Sequence, residues 1–392
     1  MQEHASRKHA LLSASGASRW INCPPSARLT EGMADKWSAY ADEGTAAHEY
    51  AEIKLTRRLT KCNSADRERL DKQAEALKTN RYYNAEMEAC IQQYADLVEE
   101  RFLEARSRSD SEDATVLLEA KLDLTEWVPD GFGTSDVTII SDGVLEVIDL
   151  KYGKGVPVSA INNSQLRLYA LGALAEFGWM YDIHMVRMTI IQPRLDSVST
   201  DEISVEELNE WAESVVKPAA SLAYAGEGEY KAGDHCRWCL AKGNCRARAD
   251  ENLKAIAYEF QEPALLSNEE IGPILHIAGQ LQSWVKDVQE YALEQALRGE
   301  KIPQWKLVEG KSKRFITDTK KAAALLTEAG YSEDKLYKPR ELRAMTALEK
   351  AVGKKNFAEI LGDLITKQAG KPTLVAETDS RPELNSAEAD FK

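Results

Sequence analysis

"VIDLKYGKG", residues 147–155, decides how the chain reads. Val147, Ile148 and Leu150 belong in a buried strand, yet Asp149 and Lys151 stand two positions apart within it. Positions i and i+2 of a strand project from one face, so both charges point together. Taken alone, such a pair is more often an exposed strand face than a working site, and its neighbours must decide. The preceding strand, in "GTSDV" (133–137), offers Asp136, and the "SDG" at 141–143 is a hairpin signal. An antiparallel hairpin there sets Asp136 beside Asp149. Carboxylates that close repel unless a cation lies between them, so the arrangement predicts a divalent-metal site built from oxygen ligands. The main-chain carbonyl of Leu150 is available as a further ligand.

Working outward, three β-rich stretches, "ATVLLEAKLDLT" (114–125), "GFGTSDVTIIS" (131–141) and "GVLEVIDLKYG" (143–153), are separated by turn residues and predict a three-stranded meander. A helix over "NNSQLRLYALGALAEFG" (162–178) follows, then a strand over "IHMVRMTIIQPRL" (183–195) and a helix over "SVEELNEWAESVVKPAASLAY" (204–224). Ahead of the strands, a helical pattern begins behind Gly44 and continues as a charged helical arm over about 50–110, with "MEACIQQYADLVEERFLEA" (87–105) its clearest amphipathic stretch. His48 and Glu52 lie four apart on that first helix, Gln165 and Tyr169 repeat the spacing on the helix after the charged strand, and Glu119 sits in the first strand. The sequence thus predicts an α/β domain over 1–260, and an α+β C-terminal extension over 261–392.

The bulk properties suit such a protein. The chain has 392 residues, 43% hydrophobic and 29% charged, with a net charge of −14. No apolar run approaches the ~18 residues of a membrane span, and the start lacks the apolar stretch of a signal peptide. The expectation is a cytoplasmic protein with no membrane partner. The acidic balance argues against a general nucleic-acid coat but leaves room for a local basic groove.

"GTAAH" (44–48), "GTSD" (133–136), "IDLK" (148–151) and "QLRLY" (165–169), in that order, resemble the RecB-like branch of the PD-(D/E)XK nucleases over most of residues 15–250. The resemblance implies that fold's mixed core sheet, His48 as a metal ligand, Asp136 and Asp149 as the carboxylate pair and Lys151 as the motif's lysine. It places Gln165 and Tyr169 on the helix that borders the site and contacts DNA, and makes Glu119 an additional acidic position. Ser135 stands where the branch has proline. Such a site would activate water and neutralise phosphate oxygens, with Lys151 orienting the water or stabilising developing charge, and release a 5′-phosphate. The imidazole among the ligands favours Mn²⁺ over Mg²⁺.

The cysteines make an independent signal. "CRWCLAKGNC" places Cys236, Cys239 and Cys245 at metal-ligand spacing, three thiols where zinc or a cubane cluster wants four. Cys23, in "WINCPPS", is the candidate fourth, and His235 is an alternative ligand. One cysteine before the nuclease motifs and three after them resembles the iron-sulfur staple of AddB-type helicase-nucleases and of exonucleases serving CRISPR adaptation. A 4Fe-4S cluster is implied; spacing leaves zinc open. Cys62 and Cys90 read as packing residues.

Residues 301–371 carry 16 Lys and Arg against 9 Asp and Glu, which suggests a DNA-facing surface with Lys311, Lys313 and Arg314 near a β turn. "GKSKRF" and "GKPTLVAETDSRP" (370–382) resemble a phage and prophage family of unnamed function. The expected function is a metal-dependent DNA exonuclease acting on single strands or duplex ends, phage or prophage encoded in a bacterial cell. Phage recombination, repair or replication proteins are its expected partners. The alternative is a non-catalytic DNA-binding scaffold that keeps the fold and its metal staple.

Overall fold

The structure, a computed structural model, describes residues 10–33, 39–108, 113–254, 267–308, 319–329, 353 and 360–361. Two short helices, α1 (Ala17–Asn22) and α2 (Ser26–Leu29), open it, followed by α3 (Ala39–Leu59), α4 (Ser64–Lys78) and α5 (Ala85–Arg108). Gly44 lies inside α3 rather than ahead of it. With good helix formers on both sides, one glycine costs only about 1 kcal/mol.

Among the described residues, five strands form one mixed sheet: β1 (Ala114–Asp123), β2 (Phe132–Ser141), β3 (Gly143–Leu150), β4 (Ile183–Gln192) and β5 (Ser197–Ser204). Their order in the sheet is their order in the chain. The expected meander holds: β1, β2 and β3 pair antiparallel, and Asp142 and Gly143 turn the second hairpin with Gly143 at φ 83°, where the absence of Cβ removes the steric penalty. The connection from β3 to β4 runs through α6 (Ser164–Phe177) and makes that pair parallel, as a crossover helix requires. Asn163 caps α6 by accepting from the backbone N–H groups of Gln165 and Leu166 at 3.1 and 3.2 Å. An unexpected edge strand, β5, pairs antiparallel with β4.

A helical run follows as α7 (Val205–Trp211), a π turn over Ala212–Val216 and α8 (Lys217–Ala225). The wide turn precedes Pro218, which lacks an N–H for the regular ladder. Then come the cysteine loop, α9 (Arg246–Leu253) and α10 (Asn268–Leu297).

The sheet separates two cores. On one face Trp20, Leu166, Leu171, Val216 and Ala220 pack against Ile140, Val147 and Met188. On the other, Ala47, Tyr50, Ile91 and Val98 of α3 and α5 pack against Val137, Ile139 and Ile148. Glu146, 1% exposed on β3, is met by Arg101 of α5 at 3.8 Å and Arg187 of β4 at 3.5 Å, and accepts from Thr189 at 2.8 Å. A buried carboxylate tolerates that position only when so surrounded.

The chain divides into compact units over residues 1–294 and 295–392, later than the expected boundary near 260. The reason is α10, whose Asp287 pairs with Arg248 at 2.6 Å and Lys242 at 3.1 Å and so belongs with the cysteine region. In the second unit α11 (Thr319–Glu328) is helical and Trp305–Val308 is irregular. Lys311, Lys313 and Arg314 lie outside the described residues. No described helix is long and apolar enough to cross a membrane.

Candidate metal centre

The strand registers assemble an acidic row. Val137 is opposite Ile148 across β2 and β3, and one further step in that register sets Asp136 against Asp149. Across β1 and β2, Leu118 opposes Val137 and Ala120 opposes Ser135, which places Glu119 against Asp136. The row crosses a distortion. Ala114, Val116 and Leu118 pack with the α3–α5 core, whereas Ala120 and Leu122 pack with the α6 core. Strict alternation would keep all five on one face, so β1 turns over at Glu119, whose φ is 47°.

From α3, His48 reaches this row. His48, Glu119 and Asp136 present ligand atoms that all lie within 4.8 Å of one another, with His48 Nδ1 3.4 Å from Asp136 Oδ2. Burial, with the Asp136 charge next, pushes the Glu119 carboxyl up to about 7. Burial opposes protonation of His48, but the hydrogen bond and charge of Asp136, helped by Asp149 and Glu119, outweigh it and raise its pKa. One imidazole and two crowded carboxylates are a donor set for a divalent cation, and such an ion relieves the repulsion that drives Glu119 upward. The residues therefore fit the metal that the sequence predicts.

Asp149 stands beside that trio. It is 3% exposed, so the exposed-face reading fails. Lys151 Nζ lies 3.0 Å from its Oδ1 and 2.8 Å from its Oδ2, and Gln165 Nε2 donates to Oδ1 at 3.2 Å. Burial pushes Asp149 up, against the pull of Lys151. Burial also works against the ammonium of Lys151, but Asp149 outweighs it and raises that pKa. At 2.8 Å the pair is ionic. Gln165 also donates to the Tyr169 hydroxyl at 3.2 Å, and the Lys151 ammonium lies 3.4 Å from Gln165 Oε1. Tyr169 packs so closely that a Cβ on Gly133 would meet its ring at 2.6 Å. Leu150 enters through its N–H, which donates to Asp136 Oδ2 at 2.8 Å. Glu52 is exposed one turn from His48.

The cysteines converge as well. Cys23, Cys236, Cys239 and Cys245 line one tight pocket with His235, Arg19, Lys231 and Lys242. Burial raises the Cys239 thiol, and the neighbouring Cys236 and Cys245 add to that. Cys23 is held below the usual thiol range: burial opposes this, but a hydrogen bond from His235 and the backbone N–H groups overcome it. His235 Nε2 lies 2.8 Å from the Lys231 carbonyl. Four thiols with cations around them suit a thiolate-bound metal or cluster. Cys90 is buried in the α3–α5 core and Cys62 lies within hydrogen-bonding distance of the Thr56 carbonyl.

Tyr94 is the site neighbour that sequence reasoning missed. In "IQQYADLV" it falls on the apolar stripe with Ile91 and Val98, a spacing that carries no signal beyond packing.

Fold and site together define a mixed α/β protein with a histidine–carboxylate cluster at its sheet. The chain belongs to the family described as "Protein of unknown function (DUF2800)", whose model matches residues 9–382. The crystal structure of SSO0001 is similar at 16% identity, over 50% of this chain and 95% of that one, with a TM-score of 0.22. At that score the likeness supports no conclusion about this chain.

Proposed function

We propose that the protein is a metal-dependent deoxyribonuclease of the RecB-like PD-(D/E)XK kind, probing DNA ends or single strands as an exonuclease in phage recombination, repair or replication. The observation that carries this reading is the convergence of His48, Glu119 and Asp136 within 4.8 Å beside the buried Asp149–Lys151 pair. Mn²⁺ or Mg²⁺ bound there would supply Lewis acidity to a phosphodiester. His48, Glu119 and Asp136 would hold the ion. Asp149 fixes the Lys151 ammonium, which stabilises negative charge as the diester is attacked. Gln165 and Tyr169 keep that pair oriented from α6. A 4Fe-4S cluster on Cys23, Cys236, Cys239 and Cys245 would tie the start of the fold to its end; zinc is the alternative metal.

The test is cleavage of end-labelled single- and double-stranded DNA by anaerobically purified protein with Mn²⁺ or Mg²⁺. Lys151→Ala should lower the rate by ~100-fold or more, the size expected for loss of one group that stabilises transition-state charge, and Asp149→Ala at least as much. Folded wild-type protein that binds DNA tightly without cutting it would replace this reading with the scaffold.

A further inference from the structure

We propose that the hydroxyl of Tyr94 is part of the cation site, kept as a hydrogen-bond donor for an oxygen ligand that arrives with the ion bound by His48, Glu119 and Asp136. The inference rests on the metal reading above and adds a residue to it.

Tyr94 lies on α5 and is 1% exposed, its ring in the core formed with Val137 and Ile148. No hydrogen-bond partner for its hydroxyl is found among the described residues. Buried polar groups are nearly always partnered, and a phenylalanine would fill an apolar core without leaving a hydroxyl unmet. The surroundings suggest what the hydroxyl serves. Helix α5 packs on β2 and β3, the strands that carry Asp136 and Asp149. Burial, and then the charges of Asp136, Asp149 and Glu119, raise the phenol pKa, so it stays protonated and has a hydrogen to donate to an anion or a water.

The neighbouring carboxylates do not take that proton. Asp136 Oδ2 accepts from Leu150, and Asp149 Oδ1 from Lys151 and Gln165, while Asp149 Oδ2, 2.8 Å from Lys151 Nζ, is itself buried without a hydrogen-bond partner and the Tyr94 hydroxyl does not reach it. What the site still lacks is an acceptor that comes with a hard cation: a water oxygen or a phosphate oxygen. A donor placed beforehand loses its orientational freedom on folding rather than on binding, which favours the ligand that uses it.

Tyr94→Phe in the full chain separates the alternatives, because it removes the hydroxyl and keeps the ring. Thermal unfolding and calorimetric titration with Mn²⁺ alone, and with Mn²⁺ plus thymidine 5′-monophosphate, are the readouts. Without ion the variant should melt at or above the wild-type temperature. With ion its rise in melting temperature should be smaller and its Mn²⁺ affinity about tenfold weaker. A loss seen with Mn²⁺ alone identifies the acceptor as water, and one seen only with the nucleotide identifies it as phosphate. Full ion response in the variant, or a lower melting temperature without ion, overturns the proposal and leaves the metal site standing. No ion response in the wild type overturns the metal reading, and this proposal falls with it.

Discussion

Glu119 combines two unfavourable features at one residue. Its backbone sits at φ 47° inside a strand, a conformation that costs a side-chain-bearing residue about 1 kcal/mol or more. Its carboxyl is half-buried against Asp136 and pushed up to about 7. Neither feature helps the protein fold; a ligand that needs an oxygen at that point would account for both. Glu119→Asn keeps a residue tolerant of the left-handed region and deletes the charge. The ion-free variant should be about 1 kcal/mol more stable in urea unfolding and should lose the stabilisation by Mn²⁺. A variant less stable than wild type without ion would mean that Glu119 has a structural partner. From sequence, Glu119 was legible as an acid in a strand; the turning-over of β1 was not, because left-handed backbone at a non-glycine residue has no compositional signature.

Among the elements, the helical arm depends on one carboxylate. Glu88 on α5 accepts from Lys54 at 2.6 Å and Tyr83 at 2.5 Å, and also from Tyr50 on α3. Burial opposes its ionisation, yet Lys54 and the two phenols hold its pKa down at about 2. Unfolded, a glutamate titrates near 4.3, so the native state binds fewer protons below that pH. The clamp's stabilisation is therefore complete above about pH 5 and is lost as pH falls toward 2. Urea midpoints measured from pH 6 to 2 should fall less steeply for Glu88→Gln than for wild type, and parallel slopes would place the acid sensitivity elsewhere. Strands β1 to β4 and helices α5 and α6 were legible because their apolar residues recur at strand or helix period. β5 was not: "SVSTDEIS" alternates weakly and carries Asp201 and Glu202, which reads as a polar lead-in to the following Ser204 cap. Its pairing with β4 is a tertiary fact. The site was legible as separate motifs, since hairpin register joins Asp136 to Asp149 at short range, but the approach of His48 and Tyr94 is set by helix packing that no local pattern encodes.

For the unit formed by residues 1–294, the cysteine pocket is where distant chain segments meet. Cys23 lies at the end of α1, and Cys236, Cys239 and Cys245 follow the whole sheet. A metal bound there would restrict the unfolded chain across more than two hundred residues, where loop closure costs most. Cys23→Ser should lose the metal and lower the melting temperature by at least about 5 °C, given ~2–4 °C per kcal/mol for a domain of this class, whereas Cys62→Ser should change neither metal content nor melting. Equal effects of the two substitutions would remove the pocket from the account. The sheet itself ends in β1 and β5, and open strand edges invite pairing between molecules. β5 meets that hazard with Asp201 and Glu202, and β1 with Lys121 and the break in pleat at Glu119. The distortion that aims a carboxylate at the candidate cation thus also denies a second chain a straight edge on which to start a fibril.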